Sequence, residues 1–163
     1  MSKTTENLKA AFAGESQANR KYLAFAHKAE QEKKPYAARI FRAAAEAETV
    51  HAHAHLQALK AVAATEENLK EAIVGETFEF TDMYPDMIKA AQVEGDKTAE
   101  RSMTLANEAE KIHAEFFKKA LANPGQAATQ IFICSVCGHV AEGHAPDTCP
   151  ICGSKTRAYK EIA

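Results

Sequence analysis

"EAETVHAHAH", residues 46–55, places two glutamates and three histidines within about three turns of an alanine-rich helix. His51 and His55 follow Glu48 by three and seven residues, so both lie near its face of the helix, whereas His53 points about 140° away. Helical periodicity alone leaves three possibilities open. Either His51 or His55 joins Glu48 at a metal site, or the two histidines form a zinc-type pair.

A second copy of this stretch decides between those possibilities. Residues 108–114 read "EAEKIHA" and match "EAETVHA" at the start of the first stretch in register. The copy keeps a histidine three residues after its second glutamate, Glu110, but has a phenylalanine in the place of His55. We therefore predict that His51 and His113 bind metal, that His55 either supports a ligand or packs beside the site, and that His53 is a surface residue.

The first 122 residues read as four helices. Ala, Glu, Lys and Leu are abundant in residues 4–122, and apolar positions recur every three or four residues. Pro35 suits the first turn of the second helix, Thr65 predicts the N-cap of the third, and Gly95 before an aspartate predicts a stop and restart. Pro85 lacks a backbone donor and predicts a kink within the third helix.

Each helix carries a glutamate on the stripe that should face the bundle interior, in line with apolar residues seven positions away: Glu15, Glu48, Glu76 and Glu110. Buried carboxylates are very costly unless they are protonated, paired with cations or bound to metal, and these stripes contain no Lys or Arg. Two Glu-only helices and two Glu-x-x-His helices form the ligand set of carboxylate-bridged di-iron or di-manganese bundles. Carboxylates with imidazole suit these metals better than copper.

The two Glu-only helices also resemble each other. "GES" from residue 14 and "GET" from residue 75 are each followed by a tyrosine, Tyr22 and Tyr84, so the bundle reads as a duplicated helix pair. Glu79 breaks the symmetry, because an alanine stands at the corresponding place in the first helix. Glu79 is therefore either a further candidate ligand or a solvated side chain.

The C-terminal part has a different composition. "NPGQAATQ" at residues 123–130 predicts a linker, and residues 131–163 then show short strand-like runs, glycines and cysteines. Two knuckles follow, each ending in a glycine: Cys134-x2-Cys137 and Cys149-x2-Cys152. This spacing, without any sign of export, predicts a tetrahedral four-sulfur metal site rather than two disulfides, and it leaves both zinc and iron possible.

Charge and hydropathy exclude several classes of protein. The chain of 163 residues has a net charge of −2 and a pI of about 6.4, so we expect no nucleic-acid or anionic-membrane partner. Lys, Glu and Asp interrupt every apolar run, which excludes a transmembrane helix. "MSKTTENLKAAFAGE" lacks the apolar core of a signal peptide, and we therefore expect a cytoplasmic location.

The order of these motifs resembles the rubrerythrin family: GES…Y, EAExxHA, GETxExxxMYP, EAExxHA and CxxCG…CPxCG, from about residue 5 to residue 160. The resemblance implies a mostly α fold. It consists of a ferritin-like four-helix bundle with a non-haem di-iron site (residues 1–122), a linker (123–130) and a small rubredoxin-like ribbon with one iron on four cysteines (131–163). It also implies a peroxidase that reduces hydrogen peroxide to water. The electrons would come from NAD(P)H through a reductase and a carrier such as rubredoxin.

The resemblance further implies a role for each candidate residue. Glu48 and Glu110 would bridge the two irons, with Glu15 and Glu76 as terminal ligands. His113 would stay on one iron, while the other would exchange Glu79 for His51 on reduction. Tyr22 and Tyr84 would hydrogen-bond to ligand carboxylates, and the third iron would be held by Cys134, Cys137, Cys149 and Cys152.

The connector between the second and third helices is short. The helical pattern runs to about Val62 and resumes at Thr65, which leaves about two residues. A bundle ~30 Å long needs roughly nine extended residues to carry the chain back, and ferritin-like folds need such a crossover. We therefore expect a homodimer with exchanged helix pairs, in which the first two helices of one subunit complete the bundle with the last two of another.

Two other functions compete with the peroxidase. In the first, the bundle handles iron and oxidises ferrous ions as ferritins do, but Glu79 and the four-cysteine relay argue against an iron store. The second is a non-enzymatic scaffold whose ribbon contacts nucleic acid. Residues 131–163 carry three basic and three acidic side chains, and this net charge of zero disfavours phosphate binding.

Overall fold

The computed structural model describes residues 2–162. The helices are α1 (Lys3–Gln31), α2 (Pro35–Leu59), α3 (Thr65–Phe78), α4 (Tyr84–Glu94) and α5 (Lys97–Ala122), with a π-helical turn at Glu79–Met83 between α3 and α4. The strands are β1 (Ile131–Cys134), β2 (Val140–Glu142) and β3 (Tyr159–Ile162). The chain divides into two compact units, one up to Ala63 and the other from Ala64 onward.

The first unit is a hairpin of the two long helices α1 and α2. Pro35 stands in the first turn of α2, as predicted. Ala38 and Ala45 are only 2% and 1% exposed, and their small side chains let the two helices approach closely. Asn19 on α1 donates to the Ala45 carbonyl at 2.7 Å and to Thr49 Oγ1 at 2.9 Å. These bonds hold the helices together about one turn from Glu15 on α1 and close to Glu48 on α2.

In the second unit, α3 and α4 pack against α5. The predicted third helix corresponds to α3, the π-helical turn and α4, and Pro85 stands in the first turn of α4. The helix is irregular at this place, in the form of a wider π-helical turn ahead of a proline that offers no N–H to the carbonyl four residues earlier, and the kink itself stays a prediction. Gly95 ends α4 with a φ of +75°, and Asp96 caps α5 by accepting from two backbone N–H groups, as predicted.

Two helix boundaries differ from the prediction. Thr65 is the first residue of α3, and Ala64, which has no side-chain acceptor, occupies the cap position. Helix α2 ends at Leu59, and Lys60 follows it in a left-handed conformation. The connector is therefore residues 60–64, five residues rather than two. The sequence pattern predicted a longer helix because the residues after Lys60 are alanine and valine, as in the helix itself. They do not continue the helix.

The C-terminal ribbon is an antiparallel sheet in which β1 lies between β2 and β3. Each cysteine knuckle is closed by a backbone hydrogen bond, from Gly138 N to Cys134 O (2.9 Å) and from Gly153 N to Cys149 O (3.0 Å). Both glycines have a positive φ, +80° and +76°, which favours glycine at these turns. The knuckles thereby bring the cysteines into one buried cluster, against which Leu105 of α5 packs.

The predicted fold class, a mostly α chain followed by a four-cysteine ribbon, is confirmed. Within residues 2–162, no helix is both long enough and apolar enough to cross a lipid bilayer.

Candidate metal centres

The first unit contains a cluster of two carboxylates and one imidazole. Glu15 on α1 and Glu48 and His51 on α2 each bring a ligand atom to within 4.8 Å of the others. His51 Nδ1 lies 2.9 Å from Glu48 Oε2, because residues three apart share one face of a helix. The Glu48 side chain is 17% exposed and that of His51 is 55% exposed. The imidazole therefore lies at the edge of the cluster, whereas Glu48 is largely covered.

The second unit contains a cluster of the same composition. Glu76 on α3 meets Glu110 and His113 on α5. His113 Nδ1 lies 2.7 Å from Glu110 Oε2 and 3.6 Å from Glu76 Oε2. Burial, followed by the proximity of Glu110, raises the pKa of Glu76. Each cluster thus has one glutamate from one helix and a Glu-x-x-His pair from a second helix, as expected for a duplicated helix pair.

The second cluster has acceptors that a cation would satisfy. His113 Nε2 donates to the Gly138 carbonyl at 2.9 Å, so Nδ1 is the ring nitrogen that faces the carboxylates. Among the described residues, Glu76 Oε2 is buried without a hydrogen-bond donor. Leaving such an acceptor unsatisfied costs ~1–3 kcal/mol, and more when it is charged. Carboxylate oxygens with an imidazole nitrogen are a donor set that suits iron.

Glu79 and Tyr84 lie beside the second cluster. Glu79 begins the π-helical turn, and burial, followed by the charge of Glu76, raises its pKa. Burial, followed by the charges of Glu110, Glu79 and Glu76, raises the pKa of Tyr84. The Tyr84 hydroxyl therefore keeps its hydrogen next to three carboxylates and is available as a donor.

The other predicted residues of the helices have different surroundings. Tyr22 packs against Phe25 and Phe41, with ring centroids 6.3 Å away in each case. A hydrogen bond from Tyr22 to a ligand carboxylate stays a prediction. His55 is half-buried on α2 and is not part of the cluster formed by its neighbour His51.

The four cysteines form the third cluster, with ligand atoms all within 4.8 Å of one another. The Sγ atoms of Cys134 and Cys152 are 3.7 Å apart, and those of Cys137 and Cys149 are 3.5 Å apart. All four thiols are free. A tetrahedron with metal–sulfur bonds of about 2.3 Å has sulfur–sulfur edges of about 3.8 Å. The geometry therefore fits a single four-sulfur metal ion.

The local environment favours a thiolate at Cys149. Burial raises the pKa of this thiol, but hydrogen bonds from the Cys152 backbone, the Tyr159 hydroxyl and the Ile151 backbone outweigh that effect and bring the pKa to about 6. Burial raises the pKa of Cys137 well above its ordinary value. Because the thiolate is the form that binds metal, Cys149 is prepared for binding at neutral pH.

Two contacts near the ribbon were not predicted from the sequence. The hydrogen bond from His113 to Gly138 joins a candidate iron ligand to the residue after Cys137. His139 is 8% exposed, and its Nδ1 lies 2.8 Å from the Tyr159 hydroxyl. Both contacts join residues twenty or more positions apart. Periodicity gives no signal for them, and only the unused histidine after the knuckle glycine could have drawn attention to that place.

Comparison with known proteins agrees with these clusters. The family model described as rubrerythrin matches residues 6–121, and that described as the rubredoxin-like domain of rubrerythrin matches residues 132–160. Rubrerythrin-2 from Clostridium acetobutylicum is 36% identical over 175 aligned positions, covering 96% of this chain and 95% of its own. Nigerythrin from Nitratidesulfovibrio vulgaris is 36% identical over 164 positions, covering 91% of this chain and 81% of its own.

Solved structures give the same result. A structure of partially reduced nigerythrin is similar over 99% of this chain and 88% of its own, with a TM-score of 0.61 and 32% identity. With the family matches and the clusters above, this assigns a di-iron site and one iron on four cysteines as the cofactors of this oxidoreductase. The chain belongs to the rubrerythrin family.

Proposed function

We propose that the protein is a peroxidase that reduces hydrogen peroxide to water. Its electrons would come from NAD(P)H through a reductase and a rubredoxin-type carrier, and would enter at the four-cysteine iron. The observation that carries this proposal is the 2.9 Å hydrogen bond from His113 Nε2 to the carbonyl of Gly138. This bond gives an electron delivered near Cys137 a short route to a ligand in the helical part. A protein that only stores iron does not need such a supply.

We propose as metal ligands all the residues predicted from the sequence. The di-iron ligands are Glu15, Glu48, His51, Glu76, Glu79, Glu110 and His113, and the mononuclear iron ligands are Cys134, Cys137, Cys149 and Cys152. When bound, a ferrous pair held by these residues would supply the two electrons needed to cleave the O–O bond. Glu79 and His51 would exchange at one iron, because a carboxylate suits the ferric ion and a neutral imidazole suits the ferrous ion.

The side chains next to the second cluster would take up protons and donate hydrogen bonds during the reaction. Each peroxide needs two protons and two electrons to give two waters. The raised pKa of Glu79, caused by burial and then by Glu76, lets this carboxylate take up a proton more readily than an exposed glutamate. Tyr84, whose hydroxyl keeps its hydrogen, would donate to a neighbouring carboxylate and hold it in position.

Replacing Glu79 with alanine is expected to leave iron bound but to slow peroxide turnover by about tenfold or more, because the exchanging carboxylate is lost. Iron content per chain and the steady-state rate with a reduced donor would be measured on the same preparation. Glu67→Ala, an exposed glutamate at the start of α3, is the matched control and should behave as the unmodified protein. Unchanged kinetics in Glu79→Ala would remove its special role.

We also propose a homodimer with exchanged helix pairs. The connector of residues 60–64 can span only about 20 Å when fully extended, whereas a ferritin-like bundle is ~30 Å long. Helices α1 and α2 of one subunit would therefore complete a bundle with α3, α4 and α5 of the other. Each di-iron site would combine the first cluster of one subunit with the second cluster of its partner.

Light scattering on the iron-loaded protein is expected to give about twice the chain mass of 17.7 kDa. Inserting about ten Gly and Ser residues after Val62 should allow the connector to cross the bundle and produce iron-loaded monomers. The same insertion within residues 123–130 is the control and should leave the dimer intact. An iron-loaded monomer of the unmodified protein would rule out the exchange.

The main competing function is ferroxidase or iron-handling activity. Turnover would be compared with hydrogen peroxide and with oxygen, in each case with reduced rubredoxin as donor and NAD(P)H oxidation as readout. The proposal requires peroxide to be reduced much faster than oxygen, without mineralised iron accumulating. Faster reaction with oxygen and progressive loading of iron would favour the iron-handling function.

We further propose that residues 1–122 and residues 131–163 are separate functional domains joined by a linker at residues 123–130. The two family-model matches, to residues 6–121 and 132–160, support this division. A cytoplasmic location is part of the same proposal, since the reductase and the carrier that would supply electrons must meet the ribbon.

A further inference from the structure

Glu142, the last residue of β2, contacts both α5 and the linker. Its Oε2 accepts from Lys119 Nζ near the end of α5, in an ion pair. Its Oε1 accepts from Gln126 Nε2 at 3.0 Å and from Thr129 Oγ1 at 2.8 Å, and both of these donors lie in residues 123–130. Both carboxylate oxygens therefore have donors, and one side chain of the ribbon joins the helix to the linker.

The backbone beside Glu142 ties down the end of the linker as well. Gly143 N–H donates to the Gln130 carbonyl at 2.8 Å, and Glu142 pairs with Ile131 in the sheet. Gln130 Nε2 donates to Glu161 Oε1 on β3 at 3.1 Å. The second half of the linker is thus bound to the ribbon through side chains and backbone together.

The ribbon lies along α5 and touches it at several places. Leu105 packs against the cysteine cluster. A Cβ placed on Gly138 would lie 3.8 Å from Ala109 Cβ, so the backbone of the first knuckle is in contact with the helix. His113 Nε2 donates to the Gly138 carbonyl at 2.9 Å. Together with the ion pair at Lys119, these contacts extend over about four turns of α5, roughly 21 Å, and the ion pair lies at the C-terminal end.

The surroundings of Glu142 make its bonds stronger than those of an isolated surface ion pair. Such a pair contributes little to stability unless it belongs to a network. Here three donors share one carboxylate whose side chain is 21% exposed, and hydrogen bonds to an ionised group are roughly twice as strong as those between neutral groups. Hydrogen bonds from Lys119, and then from Thr129, hold the pKa of Glu142 below its ordinary value. The carboxylate therefore stays charged and keeps its donors.

We propose that Glu142 is a positioning residue that fastens the linker and the ribbon to α5, and so keeps the Gly138 carbonyl within hydrogen-bonding distance of His113. Residues 123–130 form no helix or strand that could hold the ribbon in place by itself. Without the bonds to Glu142, the ribbon would be free to move away from this end of α5.

The consequence for catalysis rests on the proposed function. The contact between His113 and Gly138 is the route by which an electron would pass from the ribbon to the bundle. Loosening the ribbon should slow this transfer while leaving the ligands of both centres in place.

Amide hydrogen exchange on the iron-loaded full chain tests the fastening without turnover. In Lys119→Met and in Glu142→Gln, the bonded N–H groups of Gln126 and Gly143 should exchange about tenfold faster, because local opening becomes easier. Lys118→Met is the matched control. Both lysine side chains are 47% exposed, but Lys118 pairs with a glutamate of its own helix. Equal exchange in Lys119→Met and Lys118→Met would overturn the proposal.

Rescue and coupling separate this role from a general loss of stability. Lys119→Arg keeps the charge and a donor, and should exchange nearly as slowly as the unmodified protein. The double variant Lys119→Met/Glu142→Gln should exchange little faster than Glu142→Gln, because both changes remove one ion pair. Fast exchange in Lys119→Arg, or fully additive effects in the double variant, would overturn the proposal. Lys119→Met lies outside the ribbon and carries the test if Glu142→Gln does not fold.

The positioning role is tested by the rate at which the reduced four-cysteine iron passes its electron to the oxidised bundle site. Return of the ferric thiolate absorption after rapid reduction would report this rate without peroxide. In Lys119→Met it should fall by about tenfold, with the absorption spectrum itself unchanged. An unchanged rate despite faster exchange would overturn the positioning role.

The two proposals fail in different ways. A protein in which Lys119→Met speeds exchange and slows electron transfer, but which does not turn over peroxide, would contradict the peroxidase and leave this inference standing. A peroxidase in which Lys119→Met behaves as Lys118→Met would do the reverse.

Discussion

Replacing Cys149 with serine is expected to abolish donor-driven peroxide reduction, lowering the rate by about 100-fold or more, while the helical part stays folded. Cys149 is 2% exposed, and its surroundings lower the pKa of its thiol to about 6 despite burial, so the thiolate is favoured there. A serine oxygen is a poor replacement for sulfur in a four-sulfur site. The steady-state rate with reduced rubredoxin and the ferric thiolate absorption would be measured together.

The same variant should still react with peroxide once when the di-iron site is reduced chemically, because that reaction does not need the ribbon. Thr148→Ser is the matched control, since it changes the neighbouring residue, keeps a hydroxyl and leaves every thiolate in place. Normal donor-driven turnover in Cys149→Ser would show that electrons reach the helical part by another route.

Replacing Glu76 with glutamine is expected to remove most of the bundle iron, so that about one iron per chain remains, on the cysteines. The same change should stabilise the metal-free protein by ~1–3 kcal/mol, because it removes a charged acceptor that is buried without a donor. The same substitution would thus lower iron binding and raise the free energy of unfolding of the metal-free protein. Iron analysis and urea unfolding of the metal-free protein, at one fixed protein concentration, would measure both effects.

The stabilisation should depend on pH. Burial, followed by Glu110, raises the pKa of Glu76 in the folded protein above its ordinary value of 4.5. The folded state then holds a proton that the unfolded state has lost, so the metal-free protein loses stability as the pH rises from 4.5 through the raised pKa. In Glu76→Gln the free energy of unfolding should fall less as the pH rises. In Glu71→Gln, at an exposed position on the same helix, it should fall as in the unmodified protein. Equal pH profiles for the two variants would contradict the buried charge.

The sequence predicted that His51 and His113 lie beside glutamates, while the joining of all seven ligands at one iron pair stays a prediction. The repeat "EAExxHA" identified His51 and His113, and each lies with two glutamates in a cluster of ligand atoms. Helical spacing explains the Glu-x-x-His part of each cluster, because residues three apart on one helix share a face. The cysteine spacing predicted the third cluster for a similar reason, since each knuckle fixes its own pair of sulfurs locally.

Contacts between residues that are far apart in the sequence could not be predicted. The contact of His113 with Gly138 and that of His139 with Tyr159 join helix to ribbon and strand to loop, where no periodicity applies. The π-helical turn at Glu79–Met83 was predicted only as a kink at Pro85, because proline marks an irregularity without specifying its form. The connector was predicted too short, since alanine and valine suit a helix interior and a loop alike.

The five-residue connector has a consequence for how a newly made chain acquires its metal. In the proposed dimer, a single chain carries only half of the donors for each iron pair, and its short tether prevents it from supplying the rest. Assembly of the catalytic centre is then a bimolecular event that depends on protein concentration. At low abundance the chains would stay without their iron pair, and activity would rise with the square of expression level until pairing is complete.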